Sequence, residues 1–283
     1  MSDTSAYISA QRAEQDRAEA RQANLDRAAR TIWETPDGKL PPLPLIQTIG
    51  SHDLAHFRDN GSRFFREIAS RLLLTEASTV LDLGCGCGRM AIPFVNFLTE
   101  GRFYGCDVWP EGIAWCEENL TSRGNASFHL QPAANNYYFT DFEASKKNDF
   151  KLEWLEDGVL DASYAISVFT HLIREDAQSY LSEIARGTKV GGLGYFTFFV
   201  IDKYFAAYRD RTGNHAALSE SKTDPGCFYA YSGQDFFGGF TMDALQEMLA
   251  EAGWAIIGFE LGSWAAKPGA INYQDTFIVE RRA

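Results

Sequence analysis

A chain of 283 residues that is 45% hydrophobic can bury one large core, either as a single domain or as a core carrying a substantial insert. Its formal charge of -12 and isoelectric point near 4.9 set up a field that repels phosphate backbones, and no Lys/Arg cluster opposes it, which argues against nucleic acid as a partner. The start MSDTSAYISAQRAEQDR lacks a basic region followed by an apolar stretch, and no apolar run approaches the roughly 20 residues of a membrane span, so a soluble, cytoplasmic protein without membrane contact is expected.

Residues 5–33 are rich in Ala, Arg, Glu and Gln without Gly or Pro, which favours a long helix, and Leu25, Ala28, Ala29, Ile32 and Trp33 give its end an apolar stripe. That end either docks on the core or serves as a lid or a contact between two copies. The helical extension is placed at 1–35 and a linker at 36–52, where Pro36, Gly38, Pro41, Pro42 and Pro44 break any helix. The main domain then runs from 53 to 283. From Asp53 to Leu74 the apolar positions Phe57, Phe64, Phe65, Ile68, Ala69 and Leu72 repeat at helical spacing around Gly61, which predicts two helical pieces.

Strands and helices alternate from there on. Strands are predicted near 79–83, 102–107, 126–131, 161–168, 193–201, 254–260 and 275–281, and helices near 88–99, 110–123, 174–187 and 241–252. Such alternation implies an α/β fold, with crossover helices on both faces of a mostly parallel sheet and an antiparallel pair formed by its last two strands. The segment 202–240 is long for a connection and crowded with aromatic residues, among them Tyr204, Tyr208 and Tyr229. Long connections in compact domains commonly carry function, so it is read as an acceptor-binding insert, although each aromatic could equally fill a local core.

The first strand carries the most specific signal, Val80-Leu-Asp82-Leu-Gly84-Cys85-Gly86-Cys87-Gly88-Arg89. Alternating glycines after a strand can lay bare backbone against a ligand. A dinucleotide fingerprint would need glycine where Arg89 stands. Asp82 inside an otherwise apolar strand requires a partner. Asp107, followed by Val108, ends the second strand, where a carboxylate can accept hydrogen bonds from ribose hydroxyls. Five cysteines, four of them in or beside these strands and the helix that follows, fit reduced thiols. Cys85 and Cys87 lack a second ligand pair at zinc spacing, and no acid cluster follows the fourth strand, so no metal is expected.

The acid-x-Gly-x-Gly-x-Gly spelling resembles motif I of the class I S-adenosylmethionine (SAM) dependent methyltransferases. The stretch Ser167-Val-Phe169-Thr-His171 resembles the SVFTH spelling of a bacterial small-molecule subset. Gly262-Ser-Trp264 and Tyr273-Gln274-Asp275 resemble the same subset, so the likeness spans roughly 50–283 and leaves the first helix aside. It implies a Rossmann-like seven-stranded sheet with a reversed last strand, SAM as cofactor and a small-molecule acceptor. Asp82 would face the amino acid part of SAM, with Gly84, Cys85, Gly86 and Gly88 beneath it and Asp107 and Val108 at the ribose.

Where the family places an acid that addresses the adenine amine, this chain has Pro132, Ala133 and Ala134, leaving Gln131, Asn135 or Asn136 to accept the bond, with Asn135 taken as the candidate. Ser167 and Phe169 would lie at the sulfonium, the ring of Phe169 either meeting the cation or simply packing. His171 is the candidate base for an acceptor hydroxyl, or else orients its loop. Tyr204, Tyr208, Tyr229 and Trp264 are the candidate acceptor contacts. The expected reaction is O-methylation of a sugar-bearing or aromatic metabolite. The alternatives are a SAM-binding module without catalysis, a protein or N-methyltransferase, and an NAD-dependent oxidoreductase.

Overall fold

The computed structural model describes residues 38–131, 150–213, 217–232 and 235–283, together with Trp33 and seven single positions between 12 and 26. The expected N-terminal helix therefore falls largely outside the described residues, as does Asn135. Its described positions between 12 and 26 are helical, Trp33 lies in a turn, and Leu25 is buried in the core.

Seven strands form the main sheet in the order β10-β11-β5-β4-β1-β2-β3. They are β1 (Thr79–Leu83), β2 (Arg102–Asp107), β3 (Ala126–Leu130), β4 (Leu160–Ala165), β5 (Thr188–Phe198), β10 (Trp254–Glu260) and β11 (Asp275–Arg281). β3, β2, β1, β4 and β5 pair in parallel, and β11 runs antiparallel between β5 and β10. The chain leaves β1 first to one side and later returns to the other, so the carboxyl ends of β1 and β4 flank a topological switch point, where open α/β sheets hold their ligands.

Each face of the sheet is buried by helices. Val80, Phe103, Tyr164 and Tyr195 pack with α2 (Leu54–Arg71) and α3 (Ala91–Phe97) on one face, and α4 (Pro110–Leu120) adds Ile113 and Cys116. Leu81, Leu83, Phe196 and Phe277 pack on the other with α5 (Arg174–Gly187) and α7 (Met242–Glu251). In α5 the inward positions Ala177, Tyr180, Leu181 and Ile184 recur every three or four residues, the spacing that defines one helical face.

Four expectations change. α2 is one continuous helix through Gly61, where a Cβ would lie 2.5 Å from the Trp33 ring and 2.6 Å from the Arg89 carbonyl. That glycine serves close packing, not a break. The linker contains a short helix, α1 (Leu43–Thr48), which Pro42 and Pro44 begin rather than prevent. β4 stops at Ala165, since Ser167 turns left-handed (φ 60°) into a 3-10 turn over Phe169–His171. β5 starts five residues early at Thr188, so Gly191 and Gly192 lie within the strand.

The aromatic segment is not a loop. After Phe198 the chain changes sheets: β6 (Val200–Ile201) leads into α6 (Lys203–Thr212), β7 (Ser219–Glu220), β8 (Cys227–Ser232) and β9 (Asp235–Thr241), which form a second sheet in the order β6-β9-β8-β7. Alternation along the β8–β9 hairpin turns Cys227, Tyr229 and Phe240 toward the main core, and Phe228, Ala230 and Phe237 toward a smaller cluster with Phe199, Phe205 and Trp264. Among the described residues no helix is long and apolar enough to cross a membrane.

Candidate functional site

β1 runs into a turn in which Gly84, Gly86 and Gly88 all take positive φ (84°, 55° and 85°), which L side chains rarely adopt. A Cβ on Gly84 would also collide with Val168 Cγ2, so the turn after β1 and the turn after β4 touch at a point where only glycine fits. Asp107 closes the cradle. Its Oδ2 accepts from Gly86 N at 2.7 Å and its Oδ1 from Trp109 N at 2.9 Å, while burial pushes its carboxyl above the ordinary range. Val108 beside it is half-buried against the core. Cys85 and Cys116 lie beneath the turn, their thiols toward the Gly86 carbonyl. All five cysteines are reduced and buried, and among the described residues no group of three His, Cys, Asp or Glu could hold a metal ion.

Asp82 is wholly buried in β1, and among the described residues neither carboxylate oxygen has a hydrogen-bond partner. The Tyr164 hydroxyl, likewise buried, stands on the adjacent strand directly across from it and interacts with the carboxylate. Tyr164 and the Arg89 guanidinium favour the charged carboxylate, but burial outweighs them and pushes Asp82 up to about 8. A buried acid left so is costly unless a donor or cation reaches it. The folded protein holds this proton more tightly than the unfolded chain, so stability contributed here is present at low pH and lost as pH rises toward about 8. We expect Asp82→Asn to raise the melting temperature of the ligand-free protein at pH 8 and to flatten its dependence on pH from 5 to 8; thermal scans across that range check it.

The segment before α2 reaches the same turn. Arg89 donates to the Ile49 carbonyl at 3.3 Å, and Ile49 Cγ2 would lie 3.0 Å from a Cβ on Gly86. Ile49 was not foreseen, because an isolated apolar residue in a proline-rich stretch carries no local signal.

Beyond β4, Ser167 is exposed and strained, its N–H donating to Thr197 Oγ1 at 2.9 Å. His171 Nδ1 lies 2.9 Å from the Phe236 carbonyl. A carbonyl only accepts, so Nδ1 carries the proton and, in the neutral ring, Nε2 holds the lone pair. Phe169, in contrast, is wholly buried with its ring stacked on Phe198 at 4.9 Å, so the packing alternative describes it.

The four acceptor candidates divide in the same way. Tyr204 and Tyr208 are half-buried on α6. The Tyr229 hydroxyl accepts from the Arg174 N–H at 2.9 Å, at the start of α5. Trp264 is only 2% exposed and donates to Asp275 at 2.6 Å, which makes it a support of the second sheet. Tyr273, 59% exposed beside Phe199, is the aromatic that stands out from this edge.

Residues 81–196 match a family model described as a methyltransferase domain. A SAM-dependent methyltransferase from Methanosarcina mazei aligns at 19% identity over 74% of this chain and 94% of its own, with a TM-score of 0.50. The 1,6-didemethyltoxoflavin-N1-methyltransferase of Burkholderia thailandensis, solved with that compound and S-adenosylhomocysteine, aligns at 15% over 88% and 94%, also at 0.50. The magnesium protoporphyrin IX methyltransferase of Synechocystis PCC 6803, solved with S-adenosylhomocysteine, aligns at 14% over 83% and 91%, again at 0.50. At these identities the likeness is one of fold.

Proposed function

From the methyltransferase-domain match and the geometry of the glycine turn, we propose that this chain moves a methyl group from SAM to a hydroxyl oxygen of a small molecule. The observation that carries this reading is the cradle itself: a left-handed glycine turn closed by Asp107, with the buried Asp82 acid two residues before Gly84. The residues present fit SAM. Asp82, once it gives up its proton beside a cation, suits an ammonium, Asp107 retains lone pairs for two ribose hydroxyls, and bare backbone at Gly84 to Gly88 lets a flat nucleoside approach. Bound SAM supplies a methyl already activated on a sulfonium.

The chain's own residues then have three tasks. Backbone and carboxylates align the donor, and alignment alone is worth effective molarities of about 10⁵ M or more. The second sheet and α6 bring Tyr204 and Tyr208 to the carboxyl edge, where they wall a ring or sugar. His171, its Nδ1–H held by the Phe236 carbonyl, takes the acceptor's proton on Nε2, so His171→Ala lowers turnover by about 10² while leaving SAM affinity nearly unchanged. Single-turnover kinetics alongside titration of S-adenosylhomocysteine check this, and unchanged turnover would remove the base assignment. The function as a whole is tested by incubating metabolite extracts with the protein and methyl-deuterated SAM. A product gaining the mass of a labelled methyl group names the acceptor, and protein-bound label would instead favour a protein methyltransferase.

A further inference from the structure

We propose that Gln274 is a positioning residue: it holds the Ser167 hydroxyl so that its proton points into the cleft, where Ser167 donates to the carboxylate of the cofactor's amino acid part. This rests on the SAM reading above. Gln274 precedes β11 and is nearly buried, with both ends of its carboxamide engaged. Thr197 Oγ1–H donates to Gln274 Oε1 at 2.6 Å, and Gln274 Nε2 donates to Ser167 Oγ at 2.9 Å and toward Thr170 Oγ1 at 3.4 Å.

The directions of these bonds are mutually fixed. Thr197 Oγ1 already accepts from Ser167 N, and its single proton is far closer to Gln274 Oε1 than to the Ala165 carbonyl at 3.5 Å. The amide nitrogen must then face the two hydroxyls of the turn. Ser167 Oγ is thereby made an acceptor on its inner side, and its own proton is left for a partner outside.

Two further observations say where that proton goes. Ser167 is exposed and held at φ 60°, a conformation that costs a non-glycine residue free energy and clusters where the backbone serves a ligand. Its neighbour Val168 fills the space that a Cβ on Gly84 would need, two residues after Asp82. A hydroxyl donor at this end of the cradle, where Val168 packs against Gly84, matches the carboxylate of an α-amino acid.

The test is calorimetric titration of the full chain with S-adenosylhomocysteine and with 5′-methylthioadenosine, which keeps the thioether nucleoside and lacks the amino acid part. Ser167→Ala removes the donor. Gln274→Glu keeps the shape of the side chain but accepts where the amide donated, turning the Ser167 proton inward. Each change is expected to weaken S-adenosylhomocysteine about tenfold, the worth of one hydrogen bond to a charged group, with methylthioadenosine affinity essentially unchanged and, for Ser167→Ala, an unchanged melting temperature. The double variant should bind no worse than either single one, because both remove the same contact. Ser167 is exposed and its replacement leaves the fold intact, so Ser167→Ala alone decides the matter should Gln274→Glu not fold. Equal losses for both ligands, no loss in Ser167→Ala, or multiplying losses in the double variant would each overturn the assignment of Gln274 and Ser167 alone. Wild-type protein that binds neither ligand would overturn the cofactor reading and this inference with it.

Discussion

The Asp275→Ala variant melts roughly 10 °C or more below the wild type. Asp275 is wholly buried at the start of β11 and accepts four kinds of donor: Val200 N at 2.9 Å, Gly262 N at 2.8 Å, Trp264 Nε1 at 2.6 Å, and Lys267 Nζ at 2.9 and 3.0 Å. Lys267 is itself buried, and its other carboxylate is Asp202 at 3.1 Å, the residue that caps α6. One carboxylate thus ties the main sheet to the first strand of the second sheet, to the turn that carries Trp264 and, through Lys267, to α6. Removing one partner of a buried pair costs about 3–5 kcal/mol, and the three orphaned N–H groups add to it. Against a total stability of about 5–15 kcal/mol, a loss of that size shifts the midpoint by roughly 2–4 °C per kcal/mol. Differential scanning calorimetry measures it, and a shift below about 3 °C would mean that water enters and replaces these bonds. Lys267→Met should do less harm, because three N–H donors still satisfy Asp275.

The second large effect falls on binding. Asp107→Ala should weaken S-adenosylhomocysteine by about 10³ or more. Two losses combine: the acceptors for two ribose hydroxyls at about 1.5–3 kcal/mol each, and the bonds from Gly86 N and Trp109 N that hold the turn open. Asp107→Asn separates the two, since its carbonyl keeps one backbone bond while its amide replaces an acceptor with a donor. It should fall between wild type and alanine. Isothermal titration decides, and a loss under tenfold for alanine would remove Asp107 from the ribose site.

How far the sequence reaches depends on whether a feature is local. The glycine turn, Asp107 at the end of β2 and the bounds of β1, β2, α5, β10 and β11 follow from hydrophobic period and from glycine spacing within a few residues. The same reasoning failed at Gly61, where two helical pieces were inferred around a residue whose smallness serves Trp33 and Arg89, both distant in sequence. It failed at Ser167 too, because β-strand preference says nothing of a left-handed residue imposed by Thr197 and Gln274.

By itself the sequence determined the class of fold, the strands of the main sheet with the helices between them, and the glycine turn after β1, since these rest on periodicity and on glycine's lack of a Cβ. Tertiary structure alone decided what the polar side chains do. The same aromatic segment that reads as a loop becomes a second sheet once Asp275 anchors it, and Trp264 turns from a candidate contact into a support. Asp82 becomes an acid held protonated up to about pH 8 because the helices on its face exclude water. Burial, and the partner brought in by a distant strand, set these outcomes, and neither is written in the spacing of residues along the chain.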